Sequence, residues 1–225
     1  VTALAVFGCS WTVGTGVSAT DTFGARLADK LSITNFNNLG IEGSSNSRSV
    51  LQLLDYIKRT DISVENSIAV FLITSPAREC VIPHPYENRP TPIIDLISGP
   101  TDKVTRSWIK HFASTSNTNF NLHKNILSMQ AICRQHNIRD YYIVGWDQLV
   151  IDLLIDAKLP GVDTTKIYHK SCTQLFGYEN LRDFAKRPPN QHVRMCGHPN
   201  ELGHELIAQT LYNWITEQNN VQSKI

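Results

Sequence analysis

Apolar positions recur along the chain with two different periods, and their alternation predicts the architecture. Thr2 to Phe7 is a compact apolar run closed by Gly8, the pattern of a strand buried on both faces. In "DTFGARLADKL", Asp21 to Leu31, the residues Phe23, Leu27 and Leu31 fall at helical spacing, with Asp21 or Thr20 placed to cap the helix. A short strand is predicted over Thr34–Leu39. A helix follows over Asn46–Lys58, with Val50, Leu53, Leu54 and Ile57 on one face. "SIAVFLIT", Ser67 to Thr74, reads as a strong third strand. Further on, the pattern predicts a helix over Asn119–Gln135, a strand over Tyr141–Gly145, a short helix over Leu149–Ala157 and a final helix over Glu201–Thr216.

Two stretches break the pattern. From Pro76 to about Asp102 the chain carries Pro83, Pro85, Pro90, Pro92 and Pro100 and few periodic apolar positions. A long irregular excursion of this kind suits a lid or a partner-binding surface, with residues 83–102 as its lid-like part. Residues 158–195 also read as irregular, with Pro188 and Pro189 near their end. Elsewhere strands and helices alternate and the strands are apolar throughout. That pattern points to an α/β fold with a parallel sheet covered by helices on both faces. No internal repeat, low-complexity tract or linker divides residues 1–225, so one domain is expected.

Composition narrows the function classes. The chain of 225 residues is 41% hydrophobic and 18% charged, within the globular range, and is long enough to bury a full core. A net charge of +1 gives no footprint for nucleic acid. No apolar run approaches the ~20 residues of a membrane helix. "VTALAVFG" is too short, and lacks the basic lead, of a signal peptide. Cys9, Cys80, Cys133, Cys172 and Cys196 are scattered, without a CxxC pair, which argues against a disulfide framework and suits folding in a cytoplasm.

The candidate chemistry lies at strand ends. In open α/β sheets ligands gather at the carboxyl ends of the strands. The first strand ends in "FGCSWTVGTG", which places Ser10 just beyond it, where backbone N–H groups can face an oxyanion. The alternative for Ser10 is a plain Gly/Ser turn. The patterns GxSxG, GxxxxGK[ST] and GxGxxG are all absent here. The second strand ends in "NNLGIEGSSNS", where Gly40 and Gly43 open a turn and can expose an N–H to a ligand. A serine hydroxyl needs a neighbouring base. "GHPNELGH" places His198 in a turn before the last helix, with Pro199 near the helix start and Asn200 following.

Taken in order, "FGCSWT", "NLGIEGSSN" and "HPNELGH" resemble the SGNH (GDSL-like) hydrolases. The resemblance implies a three-layer α/β/α sandwich with a parallel, flavodoxin-like five-stranded sheet. It implies Ser10 as nucleophile, His198 as base and Gly43 as oxyanion donor, with carboxylic esters as substrates, lipid esters and O-acetylated sugars included. No cofactor or metal is implied. The chain departs from the family pattern at three places. Cys9 stands where the GDS motif has aspartate. "FLITSPARE" offers no block-three asparagine, and Arg78 is the nearest polar residue. Arg78 can donate to an oxyanion or pair with Glu79 or another acid. The triad acid, three residues before His198, falls on Met195, or one residue closer on Cys196. Asp147 and Asp183 are the acids that can fold inward, and each also reads as an ordinary cap or surface residue.

His204 is expected to pack or bond locally. A metal site of Cys196, His198, His204 and His192 is disfavoured, because Cys196-x-His198 is tighter than zinc-ligand spacings. Cys9 should point away from any site that Ser10 faces. Trp11, Trp108 and Trp146 can line a sugar cleft or pack in the core. Two functions follow. One is a serine esterase acting on a small-molecule or glycan ester. The other is a catalytically impaired domain of the same fold serving as a binding or assembly module. The "GCSWT" and "GHPNELGH" variants resemble family members from bacteriophages and marine bacteria, which implies a virion-associated role such as trimming a surface polysaccharide.

Overall fold

The structure is a computed structural model and describes residues 3–59, 64–81, 94–96, 114–146, 150–152, 160–179, 181–186 and 190–222. Its centre is a parallel sheet of four strands: β1 (Leu4–Phe7), β2 (Phe36–Asn38), β3 (Ile68–Ile73) and β6 (Arg139–Val144), in the order β2-β1-β3-β6. Phe7 pairs with Phe71 and Ile73 with Val144, so the carboxyl ends of these strands share one edge. The fifth strand implied by the family resemblance is reduced to one parallel bridge, Tyr142 with Ile167, closed by Tyr168 N–H on the Tyr142 carbonyl at 2.8 Å. The segment turns into a short helix soon afterwards, so no ladder develops.

Strand residues alternate between two cores, as a period of two requires. Leu4, Val6, Ile68, Val70, Leu72 and Ile143 face one layer. There they meet α2 (Phe23–Lys30) through Phe23 and Leu27, and α7 (Glu201–Gln222) through Ile207, Leu211 and Ile215. Ala5, Phe7, Ala69, Phe71, Ile73 and Val144 face the other layer. They meet α3 (Asn46–Lys58) through Leu53 and Tyr56, and α4 (Thr115–Gln135) through Leu122, Ile126 and Met129. In this second layer Phe7, Phe71 and Tyr142 stack across three strands, with centroids 4.7 and 5.1 Å apart.

Several predicted elements are shifted. The cap of α2 is Thr22, whose Oγ1 accepts the Ala25 N–H, whereas Thr20 and Asp21 belong to a preceding 3₁₀ turn. The Asp21 carboxylate is occupied by Ser18 and Arg26. Helix α4 begins at Thr115 because Ser114 caps the Asn117 N–H. The proline-rich excursion holds a two-stranded antiparallel pairing, β4 (Glu79–Val81) with β5 (Ile94–Leu96). The rest of the lid-like stretch lies outside the described residues. The stretch 158–195, expected to be irregular, contains α5 (Cys172–Leu175) and α6 (Leu181–Lys186). Both are too short for periodicity to register, although Ser171 and Gln174 form a capping box at α5. Of the helix expected over 149–157, residues 150–152 are helical and the remainder is outside the described set. Among the described residues no helix is long and apolar enough to cross a membrane.

Candidate active site

Gly8 makes the exit from β1. Its φ is +149°, and a Cβ there would stand 2.4 Å from Thr12 Oγ1 and 2.9 Å from the Leu72 carbonyl of the adjacent strand. The chain then enters a single helical turn, α1 (Ser10–Val13), with Cys9 at the cap. Ser10 is its first residue, so its N–H is among those a helix start leaves without an intrahelical partner. Cys9 and Trp11 are fully buried while Ser10 is half-buried, so the residues on either side anchor the turn and Ser10 faces outward.

Arg194 N–H donates to the His198 carbonyl at 2.9 Å, and Val193 bridges Pro199, fixing the backbone on both sides of His198. Asn200 caps α7 by accepting the Gly203 N–H at 3.0 Å. Gly203 has to be glycine, since a Cβ would lie 2.3 Å from the His192 carbonyl. His204 is fully buried, and its Nδ1 accepts the Phe23 N–H at the start of α2, 3.1 Å away. Burial pushes its pKa down to about 4, so this imidazole is neutral.

These two segments meet. Ser10 Oγ and His198 Nε2 lie 3.0 Å apart, across 188 residues of sequence. A hydroxyl that close to a neutral imidazole nitrogen can hand over its proton. The other ring nitrogen, Nδ1, is shielded from water and has no hydrogen-bond partner among the described residues. Met195 is 78% exposed and Cys196 is exposed. The Asp183 carboxylate accepts the Glu179 N–H at 3.3 Å, at the start of α6. Asp147 and Trp108 lie outside the described residues. Among the described residues no group of three or more His, Cys, Asp or Glu is gathered to hold a metal ion.

The loop after β2 is pinned onto this site. Leu39 N–H bonds the Val6 carbonyl at 2.8 Å and Ile41 N–H bonds the Gly8 carbonyl at 2.9 Å. Asn38 Nδ2 bonds the Thr12 carbonyl at 2.8 Å, and Thr15 Oγ1 donates to Glu42 Oε1 at 2.7 Å. Gly40 allows the close approach, because a Cβ there would stand 2.6 Å from Val13 N. Gly43 follows with φ +73° in a turn closed by Ser44 N–H on the Ile41 carbonyl. Asn38, Thr15 and Glu42 escaped sequence reasoning, since only the folded loops bring them together.

Arg78 does not pair with its neighbour Glu79. That carboxylate is held by the Ser47 hydroxyl, by its own Cys80 N–H at 3.0 Å and by Lys124 at 3.7 Å. The Arg78 guanidinium lies over the ring of Trp146, 5.8 Å from its centroid, with Nε and Nη1 shielded and unpartnered among the described residues. Trp146 in turn packs on Trp11 at 4.4 Å. Cavities of about 260 and 490 Å³ lie elsewhere, one at the amino end of β6 and one beside α2, and neither is lined by Ser10 or His198.

No protein-family profile matches the chain, and no curated protein matches it significantly in sequence. Solved structures do match over nearly the whole length. A lipolytic protein of the G-D-S-L family from Veillonella parvula DSM 2008 superposes with a TM-score of 0.50 at 15% identity, over 93% of this chain and 95% of that one. The psychrotrophic esterase EstA from Pseudoalteromonas sp. gives 0.56 at 10% identity, over 98% and 100%. An acetyl xylan esterase, AlAXEase, gives 0.53 at 12% identity, over 94% and 98%. The fold is therefore that of the G-D-S-L (SGNH) hydrolases.

Proposed function

We propose that the protein is a serine ester hydrolase. The observation that carries this reading is the 3.0 Å contact between Ser10 Oγ and His198 Nε2. Ser10 Oγ attacks the ester carbonyl as its proton passes to Nε2. The resulting oxyanion is held by the N–H groups of Ser10 and Gly43. Collapse of the tetrahedral intermediate breaks the bond to the alcohol oxygen, which leaves with the proton from His198. Water, deprotonated by the same nitrogen, then frees the acid and restores Ser10. Among the described residues no carboxylate meets Nδ1, and a Ser–His pair without one works more slowly than a full triad. The substrate reading is a small-molecule or O-acetylated glycan ester, in keeping with the acetyl xylan esterase among its structural neighbours.

An Nδ1 without a partner among the described residues favours one second reading: a domain of this fold that binds glycans or assembles with other proteins, a virion included, without turnover. Labelling with a fluorophosphonate serine probe separates the two. Label on the wild type and none on Ser10→Ala supports the hydrolase. An unlabelled wild type that also leaves p-nitrophenyl acetate intact supports the binding module.

A further inference from the structure

The guanidinium of Arg78 has two nitrogens, Nε and Nη1, without an acceptor among the described residues. It follows β3 at the carboxyl edge of the sheet, the edge at which β1 delivers Ser10. The acid beside it, Glu79, is committed to Ser47, Lys124 and a backbone N–H. Both of these Arg78 nitrogens are screened from water, and the guanidinium carbon lies 5.8 Å from the Trp146 ring centroid. Buried N–H groups without an acceptor are costly, so such an arrangement is matched by an acceptor, an anion above all, in the occupied state. The Trp146 ring, against which the guanidinium lies, packs on Trp11, the residue that follows Ser10. Trp146 Nε1 is likewise screened and without an acceptor among the described residues.

Resting on the hydrolase reading above, we infer that Arg78 binds a carboxylate carried by the substrate, so that the preferred substrate is an ester of an acid-bearing alcohol or sugar. A carboxylate matches one guanidinium in charge and, through two parallel N–H···O bonds, in plane. The partly exposed Trp146 ring, backed by the fully buried Trp11, offers an apolar wall to the body of the alcohol.

The test uses two esters that differ in one charge, 4-acetoxybenzoate and methyl 4-acetoxybenzoate, each rate divided by its rate with hydroxide. The wild type is expected to favour the carboxylate in kcat/KM by about tenfold or more, the scale of a charge-assisted hydrogen bond. Arg78→Met is expected to bring that ratio to within about twofold of one, with Arg78→Lys between, since lysine keeps the charge and loses the fork. A wild type without preference overturns the inference. So does an Arg78→Met variant that loses both activities in the same proportion, which would make Arg78 an oxyanion donor. Circular dichroism checks that the variants fold. Thermal shifts of the wild type with 4-hydroxybenzoate and with its methyl ester decide the inference independently of turnover: a rise confined to the acid supports it, and equal responses sink it. If neither ester is cleaved and the serine probe fails, the hydrolase reading has failed, while the binding comparison still stands.

Discussion

Asn46 holds the peptide of Thr74 at both ends: its Oδ1 accepts the Thr74 N–H at 2.9 Å and its Nδ2 donates to the Thr74 carbonyl at 3.1 Å. The side chain is buried at the start of α3, so it closes β3 as a further strand would and ties the loop after β2 to the segment carrying Arg78. Asn46→Ala leaves two buried backbone groups without partners and is expected to lower stability by about 1–3 kcal/mol for each one left unpaired. Urea unfolding of the two proteins measures it. A midpoint that does not move would show that water replaces the asparagine without loss.

The Ser10–His198 contact predicts a non-additive pair. His198→Ala removes a general base and is expected to reduce kcat for p-nitrophenyl acetate by roughly 10²–10⁴. Ser10→Ala should do at least as much, and the double variant no more than the worse single one, because the two act as a unit. Losses that multiply would place the groups in separate events.

His204 gives the fold a pH dependence with a definite sign. Its folded pKa of about 4 lies below the ordinary 6.5, with burial as the main cause. The unfolded chain therefore takes up this proton first as pH falls. The stabilisation is complete above about pH 6.5 and is lost as pH drops towards 4, by a few kcal/mol at most. His204→Gln removes that titration, and its unfolding free energy is expected to vary less than the wild type's across the window. Parallel curves from guanidinium titrations at stepped pH would refute the assignment.

Gly40 is where the loop after β2 touches the backbone of α1. Gly40→Ala would set a methyl group 2.6 Å from Val13 N, against main chain that cannot swing aside. The expected cost is about 1–3 kcal/mol, as for other overpacked contacts. The rate of labelling at Ser10 should fall as well, since the same loop carries Gly43. A melting temperature and a labelling rate both equal to the wild type's would remove this loop from the account.

The layers of the sandwich were legible because a buried strand and an amphipathic helix differ in period, as "SIAVFLIT" and "NSRSVLQLLDYIK" do. Short elements escaped: α5, α6 and the β4–β5 pairing span three to six residues each, less than a period needs to declare itself. Helix boundaries moved to wherever a side chain reached an orphan N–H, as Thr22 and Ser114 do.

Residue chemistry and local order belong to the sequence: a serine after the first strand, glycines after the second, a histidine, proline and asparagine before the last helix. Their meeting belongs to the tertiary structure. No local pattern encodes a 3.0 Å contact across 188 residues, because it arises from two strand ends and a helix cap converging on one sheet edge. The fates of the charged groups were decided there too. Glu79 turns to Ser47 and Lys124 while Arg78 lies on Trp146, a choice set by which partners the packed layers bring within reach.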